Sequence, residues 1–182
     1  MPLGTGQHLA NLALDEFKPV KPDLALELDL SIGGETRRLD VLVELDRTGR
    51  PSSNVEKFKR YDALINGWAL SHPRFKALGE PPIVVFVLED DDRAQAFLRA
   101  ADPVVTGRIG KWGVAEAGWP HYGRRRIFFV SEIDAHRGTL RALRLPEHPP
   151  ALRRALQGRG AEKLRPEQVP SLVPAMFLRR GS

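Results

Sequence analysis

Apolar and polar residues alternate strictly over two consecutive stretches, and a period of two puts successive side chains on opposite faces of a strand. In KPDLALELDL, Leu24, Leu26, Leu28 and Leu30 share one face, and Asp23, Ala25, Glu27 and Asp29 share the other. In RRLDVLVELD, Leu39, Val41, Val43 and Leu45 share one face, and Asp40, Leu42, Glu44 and Asp46 the other. Gly33-Gly34 between them predicts a two-residue hairpin turn, because glycine tolerates the positive φ that such turns need. That turn sets a register: Leu24 faces Val43, Leu26 faces Val41 and Leu28 faces Leu39. On the polar face Asp29 meets Arg38, Glu27 meets Asp40 and Asp23 meets Glu44. A slip of one residue would turn one strand inside out.

The rest of the chain is read in the same way. A short amphipathic helix is predicted over residues 4–17, with Thr5 as N-cap, a stripe of Leu9, Leu12, Ala13 and Phe17, and His8 and Glu16 as surface residues. After the hairpin, residues 47–53 form a polar loop. Ser53 or Asn54 caps a helix whose stripe is Val55, Phe58, Ile65 and Trp68. IVVFVL over 83–88 is continuously apolar and predicts a central strand buried on both faces. Glu89 to Asp92 then open a helix running to Ala101, its acids at the favourable N-terminal end. Lys111-Trp112 and Trp119-Pro120-His121-Tyr122 predict an irregular segment whose aromatics either seal the side of the core or stack on unpaired bases. Arg124-Arg125-Arg126 leads into an apolar strand over 127–130 and reads as a solvated strand entrance or as phosphate contacts. Residues 140–145 predict a further short strand or turn, and Pro149-Pro150 a short basic helix to Gln157. Beyond Gly158 little structure is expected, although Leu172, Val173, Met176, Phe177 and Leu178 offer apolar docking residues. The expected organisation is one α/β domain over 1–157 and a basic, Pro/Gly-rich tail over 158–182.

Composition narrows the picture. The chain has 182 residues, enough for a substantial core, since a domain of about 150 residues buries roughly two thirds of its unfolded surface. It has no cysteine, which excludes a disulfide scaffold and cysteine-ligated zinc and fits a cytoplasmic protein. No apolar run approaches the roughly 18 residues of a membrane helix, and the N-terminus lacks signal-peptide character, so no membrane partner is expected. The formal net charge is +5, which permits nucleic-acid binding without establishing it. There is no Walker-type loop, GxSxG, HExxH or zinc spacing, and the histidines are scattered.

The candidate chemistry lies on the hairpin. Like charges placed opposite each other destabilise a strand pair, so Asp23 against Glu44, with Asp46 on the same face, needs an explanation. One is a solvated acidic face screened by water. The other is a divalent cation, since hard cations take carboxylate oxygens. Lys57 and Tyr61 lie one helical turn apart, and a helix folded back over the hairpin would bring Lys57 to the acids.

Pro22-Asp23, the hairpin and Glu44-Leu45-Asp46 resemble the PD-(D/E)XK nuclease-like superfamily. A closer resemblance is to the plasmid replication-relaxation family, in Pro22-Asp23, Glu44-Leu45-Asp46-Arg47, the loop Thr48 to Ser53, and Lys57 with Tyr61. The later apolar strands also fall where that family has them. The resemblance implies a restriction-endonuclease-like core: a mixed central sheet with an antiparallel hairpin, flanked by helices. Asp46 stands in the superfamily's lysine slot, so the resemblance implies that the lysine has moved to the following helix, as Lys57 with Lys59 in reserve. The N-terminal winged-helix module common in such families is not read here, so the chain is expected to be a C-terminal domain or a minimal version.

The resemblance further implies Mg²⁺ or Mn²⁺ held by Asp23, Glu44 and Asp46, with Glu16 as an outer ligand and Lys57 completing the catalytic set. It implies a DNA-binding surface of Arg47, Arg50, Lys59, Arg60, Tyr61, Arg124, Arg125 and Arg126. The implied function is metal-dependent phosphodiester hydrolysis on DNA in plasmid or mobile-element replication or mobilisation. The alternative is an inactive nuclease-fold DNA-binding module that recruits a relaxase or replication partner; a homodimer is left open. A third reading is an unrelated α/β domain whose hairpin is merely amphipathic.

Overall fold

The structure is a computed structural model that describes residues 20–32, 35–47, 50–66, 81–107, 122–137, 141–160 and 163–169. The predicted first helix with His8 and Glu16, the Gly33-Gly34 turn, Trp68, the aromatics of 112–121 and the apolar residues of 172–178 lie outside that set.

Strands β1 (Leu24–Ile32) and β2 (Glu35–Asp46) form the hairpin, antiparallel and in the predicted register, with Leu24 on Val43, Leu28 on Leu39 and Asp29 on Arg38. A short 3₁₀ turn at Pro51–Asn54 leads into helix α1 (Val55–Asn66). Strand β3 (Ile83–Leu88) pairs parallel to β2, and after helix α2 (Asp91–Ala101) strand β4 (Ile127–Ser131) pairs parallel to β3. Strand β5 (Ala142–Arg144) and strand β6 (Glu167–Val169) add antiparallel partners, so the six-stranded mixed sheet runs β1 to β6 in chain order. Successive crossovers of one hand in a sheet that advances in order set the connecting helices on the same face. Phe58 of α1 and Phe97 of α2 meet there, ring centroids 6.1 Å apart.

The central strands β3 and β4 are buried on both faces. Phe86 and Phe129 stack across β3 and β4 at 5.6 Å, and Phe58 meets Phe86 edge-on at 5.0 Å beneath α1. Val84, Leu88, Ile127 and Ile65 complete this core. On the opposite face Leu39, Val41, Ile83, Val85, Phe128 and Val130 form a second cluster. Asp90 caps α2 by accepting from the Arg93 amide, as its acidic start predicts.

Two expectations change. Glu167–Val169, assigned to an unstructured tail, forms β6 against β5. Arg124-Arg125-Arg126, read as a solvated strand entrance or as phosphate contacts, belongs to a short helix, α3 (Tyr122–Arg126), in which Arg124 is buried. The remaining short helices are α4 (Glu132–His136), capped by Ser131, and α5 (Pro150–Gln157). No helix among the described residues is long and apolar enough to cross a membrane.

Candidate functional site

The site is built at the C-terminal end of β2. Ligands in open α/β sheets bind beyond the carboxyl ends of the parallel strands, and Asp46, Leu88 and Ser131 end β2, β3 and β4 side by side. Glu44 pairs with Phe86 of β3, so its side chain lies on the face covered by α1. The solvated-acid reading therefore fails for β2: Glu44 is 1% exposed and Asp46 7% exposed. Leu24, Leu26 and Leu45, on the nominally apolar face, are instead exposed.

A buried carboxylate must be paired or hydrogen-bonded, and each of these acids has protein donors. The Lys57 ammonium lies 2.6 Å from Glu44 Oε2, and the Tyr61 hydroxyl donates to Glu44 Oε1. Asn54 Nδ2 donates to Asp46 Oδ2 at 2.6 Å. Asp23 is exposed and precedes β1; its backbone N–H donates to the Val43 carbonyl at 3.1 Å, and its Oδ2 accepts the Leu45 amide at 2.9 Å. Asp23 is thereby fixed beside the Glu44–Asp46 strand end. Burial, then the hydrogen bond to Glu44 and the charges of Glu44 and Asp23, push the Tyr61 hydroxyl well above its ordinary range. Tyr61 therefore stays a proton donor to Glu44.

Among the described residues no three His, Asp or Glu side chains are grouped to hold a metal ion as they stand. Carboxylate oxygens are donors that a hard divalent cation takes, but Glu44 Oε1 and Oε2, Asp46 Oδ2 and Asp23 Oδ2 each already accept from a protein donor. Glu44 is, moreover, a buried carboxylate already matched by one cation, the Lys57 ammonium. Glu16, the proposed outer ligand, lies outside the described residues.

The predicted DNA-binding residues divide sharply. Arg47 and Arg50 are exposed on the loop between β2 and α1, and Lys59 is exposed beside Glu56. Arg60 is half-buried. Tyr61 is completely buried under α1 and cannot stack on a base, because its ring is held edge-on to Phe86. Arg124 cannot reach a phosphate either. It is completely buried, donating to the carbonyls of Pro146 (2.6 Å), Asp102 (2.9 Å) and Val105 (2.8 Å) and pairing with the Asp102 carboxylate. Arg126 donates to the Pro81 carbonyl at 2.6 Å, and exposed Arg125 pairs with Glu147.

A second polar cluster, missed from sequence, fixes the far side of α1. Asp62 is buried; its Oδ2 accepts the Thr106 and Gly107 amides, each at 2.8 Å, and its Oδ1 accepts from Asn66 Nδ2 at 2.7 Å. Arg153 grips Asp102 through two bonds of 2.9 Å, so Asp102 joins Arg124 to α5. These pairings span residues far apart in the chain, which is why no local pattern announced them. Only the polar residues Asp62 and Asn66, one turn apart on an otherwise apolar helix flank, carried any signal. Searches against family models, curated proteins and solved structures found no match to this chain.

Proposed function

We propose that this chain acts on DNA through a nuclease-like site on a restriction-endonuclease-like core, hydrolysing phosphodiesters with a divalent metal. The setting proposed is plasmid or mobile-element replication, as the resemblance to the replication-relaxation family suggests. The observation that supports it most is the Lys57 ammonium 2.6 Å from Glu44, with Asp23 fixed just before the adjoining strand by the Leu45 amide. A lysine displaced onto the following helix returns to the acid whose own strand carries Asp46 in the usual lysine slot.

In this reading Asp23, Glu44 and Asp46 would hold Mg²⁺ or Mn²⁺. The ion, when bound, would polarise a phosphate oxygen and lower the pKa of the attacking water. Lys57 orients that water or offsets charge developing on the phosphate. Tyr61, anchored in the core, fixes Glu44, and Asn54 fixes Asp46. Exposed Arg47, Arg50 and Lys59 hold the DNA backbone, with an affinity that falls as salt rises.

A second reading has one observation in its favour: both Glu44 oxygens already have protein donors. It is an inactive nuclease-fold module that binds DNA or recruits a relaxase or replication partner. Supercoiled, branched and single-stranded DNA incubated with Mg²⁺ or Mn²⁺, with and without chelator, separates the two. Metal-dependent cutting lost in Asp23→Ala and Glu44→Ala supports the nuclease. DNA bound but never cut supports the module.

A further inference from the structure

Charge is sorted between the two ends of the sheet. Just past the carboxyl ends of β3 and β4 stand Glu89, Asp91, Asp92 and Glu132, all exposed. The connection from α5 to β6 is anchored at the opposite end. Arg153 of α5 grips Asp102, just past the C-terminus of α2. Glu167 of β6 pairs with Arg144, which faces Phe128 near the start of β4. Between these anchors Leu164 packs against the core, and Gly158 and Gly160, both at positive φ, turn the chain.

The two anchors use up the acids Asp102 and Glu167 and leave cations over. Arg154, Arg159, Lys163 and Arg165 are exposed, and none has a carboxylate partner among the described residues. Arg154 lies in the last turn of α5, where a cation suits the helix C-terminus; the other three lie outside the helix. Each is at most a few residues from an anchored position, so the fold holds like charges together that repel one another without an outside partner. Guanidinium groups match phosphate oxygens in geometry as well as charge. A lipid surface fits less well, because α5 has eight residues and Leu156 is its one large exposed apolar side chain.

We propose that the α5–β6 connection is a nucleic-acid surface, holding the phosphodiester backbone through Arg154, Arg159, Lys163 and Arg165 at the end of the sheet away from Glu44. It does not depend on the nuclease reading, and it adds a second contact surface to that of Arg47, Arg50 and Lys59. Backbone contacts of this kind position a nucleic acid without reading its sequence.

The test is fluorescence anisotropy of the full chain with labelled duplex DNA and duplex RNA over a series of salt concentrations. Wild type is compared with a quadruple variant, Arg154→Ala, Arg159→Ala, Lys163→Ala and Arg165→Ala. On DNA the slope of log affinity against log salt should shrink by about 3–4, and affinity at low salt should fall at least about tenfold. Replacing the three arginines by lysine should keep most of the slope. Arg125→Ala, exposed but already paired with Glu147, should stay near wild type. Loss on both duplexes, or on one alone, supports the surface and says which nucleic acid it takes. An unchanged slope in the quadruple variant, with wild type still binding, would overturn it and leave the nuclease reading intact. Wild type that binds neither duplex but binds phosphatidylserine vesicles through these four residues would overturn it in favour of a lipid surface. Wild type that binds none of the three would overturn it together with the DNA reading.

Discussion

Gly123→Ala tests the packing that holds α1 in place. A Cβ at Gly123 would lie 2.2 Å from Asp62 Oδ1, far inside contact distance, and 3.3 Å from Asn66 Nδ2. Asp62 has little freedom to withdraw, because three N–H donors hold its two oxygens. Overpacking of this kind costs about 1–3 kcal/mol, and a buried donor left unmatched adds about 1–3 kcal/mol. Against this, alanine is the better helix former by about 1 kcal/mol. The steric and hydrogen-bond losses win, for a net destabilisation of about 1–5 kcal/mol. With a slope near 2 kcal/mol per molar urea, the unfolding midpoint should fall by about 0.5–2.5 M. Gly158→Ala is the comparison: nothing lies within 4 Å of an added Cβ, but its φ of 85° and ψ of −171° fall in a region essentially reserved for glycine, so only a backbone cost of about 1–3 kcal/mol applies. A double variant with Asp62→Ala should recover part of the Gly123→Ala loss, because the clash is then gone. A Gly123→Ala midpoint within about 0.2 M of wild type would refute the placement of Asp62 against α3.

Burial pushes the Asp62 carboxyl up to about 6, against the pull of the Gly107 and Thr106 amides, Arg124 and Asn66. A raised folded pKa means that the folded chain prefers the protonated acid. This contribution is present below about pH 4 and is lost as pH rises through about 6, worth at most about 3 kcal/mol. The stability gap between wild type and Asp62→Asn, from urea titrations, should therefore shift in favour of the variant between pH 4 and 7; a pH-independent gap would contradict it. Arg124→Met leaves three backbone carbonyls without their donor and should cost about 3–5 kcal/mol in thermal or urea unfolding. Arg125→Ala, at an exposed pair, should stay within about 1 kcal/mol, and equal losses at the two positions would contradict the burial of Arg124.

The hairpin was legible because two physical signals agreed: alternation fixed the faces, and a glycine pair fixed the turn. The same alternation misjudged where water lies. It marked Glu44 and Asp46 as the outer face, but β2 is an interior strand covered on both sides, so Glu44 and Asp46 are buried beneath α1 just as Leu39 and Val41 are buried on the opposite face. Helix spacing put Lys57 and Tyr61 on one face, and with α1 folded back over the hairpin both reach Glu44. Arg124 could not be read from its own stretch. Three successive arginines look like solvated charge, and only Asp102 and the carbonyls of Val105 and Pro146 make burial of one of them affordable. Strand β6 escaped because Glu167–Val169 is too short for a period, and it exists only through pairing with β5.

Single-turnover cleavage of DNA with Mn²⁺ tests the central claim that Asp23, Glu44 and Lys57 form one catalytic site. Wild type, Glu44→Gln, Lys57→Ala and the double variant would be compared, each first shown to be folded by circular dichroism. Residues acting as a unit are strongly non-additive. The expected result is a loss of at least about 100-fold in each single variant, with the double variant no worse than the poorer single one. Glu44→Gln cutting DNA at the wild-type rate would contradict the account.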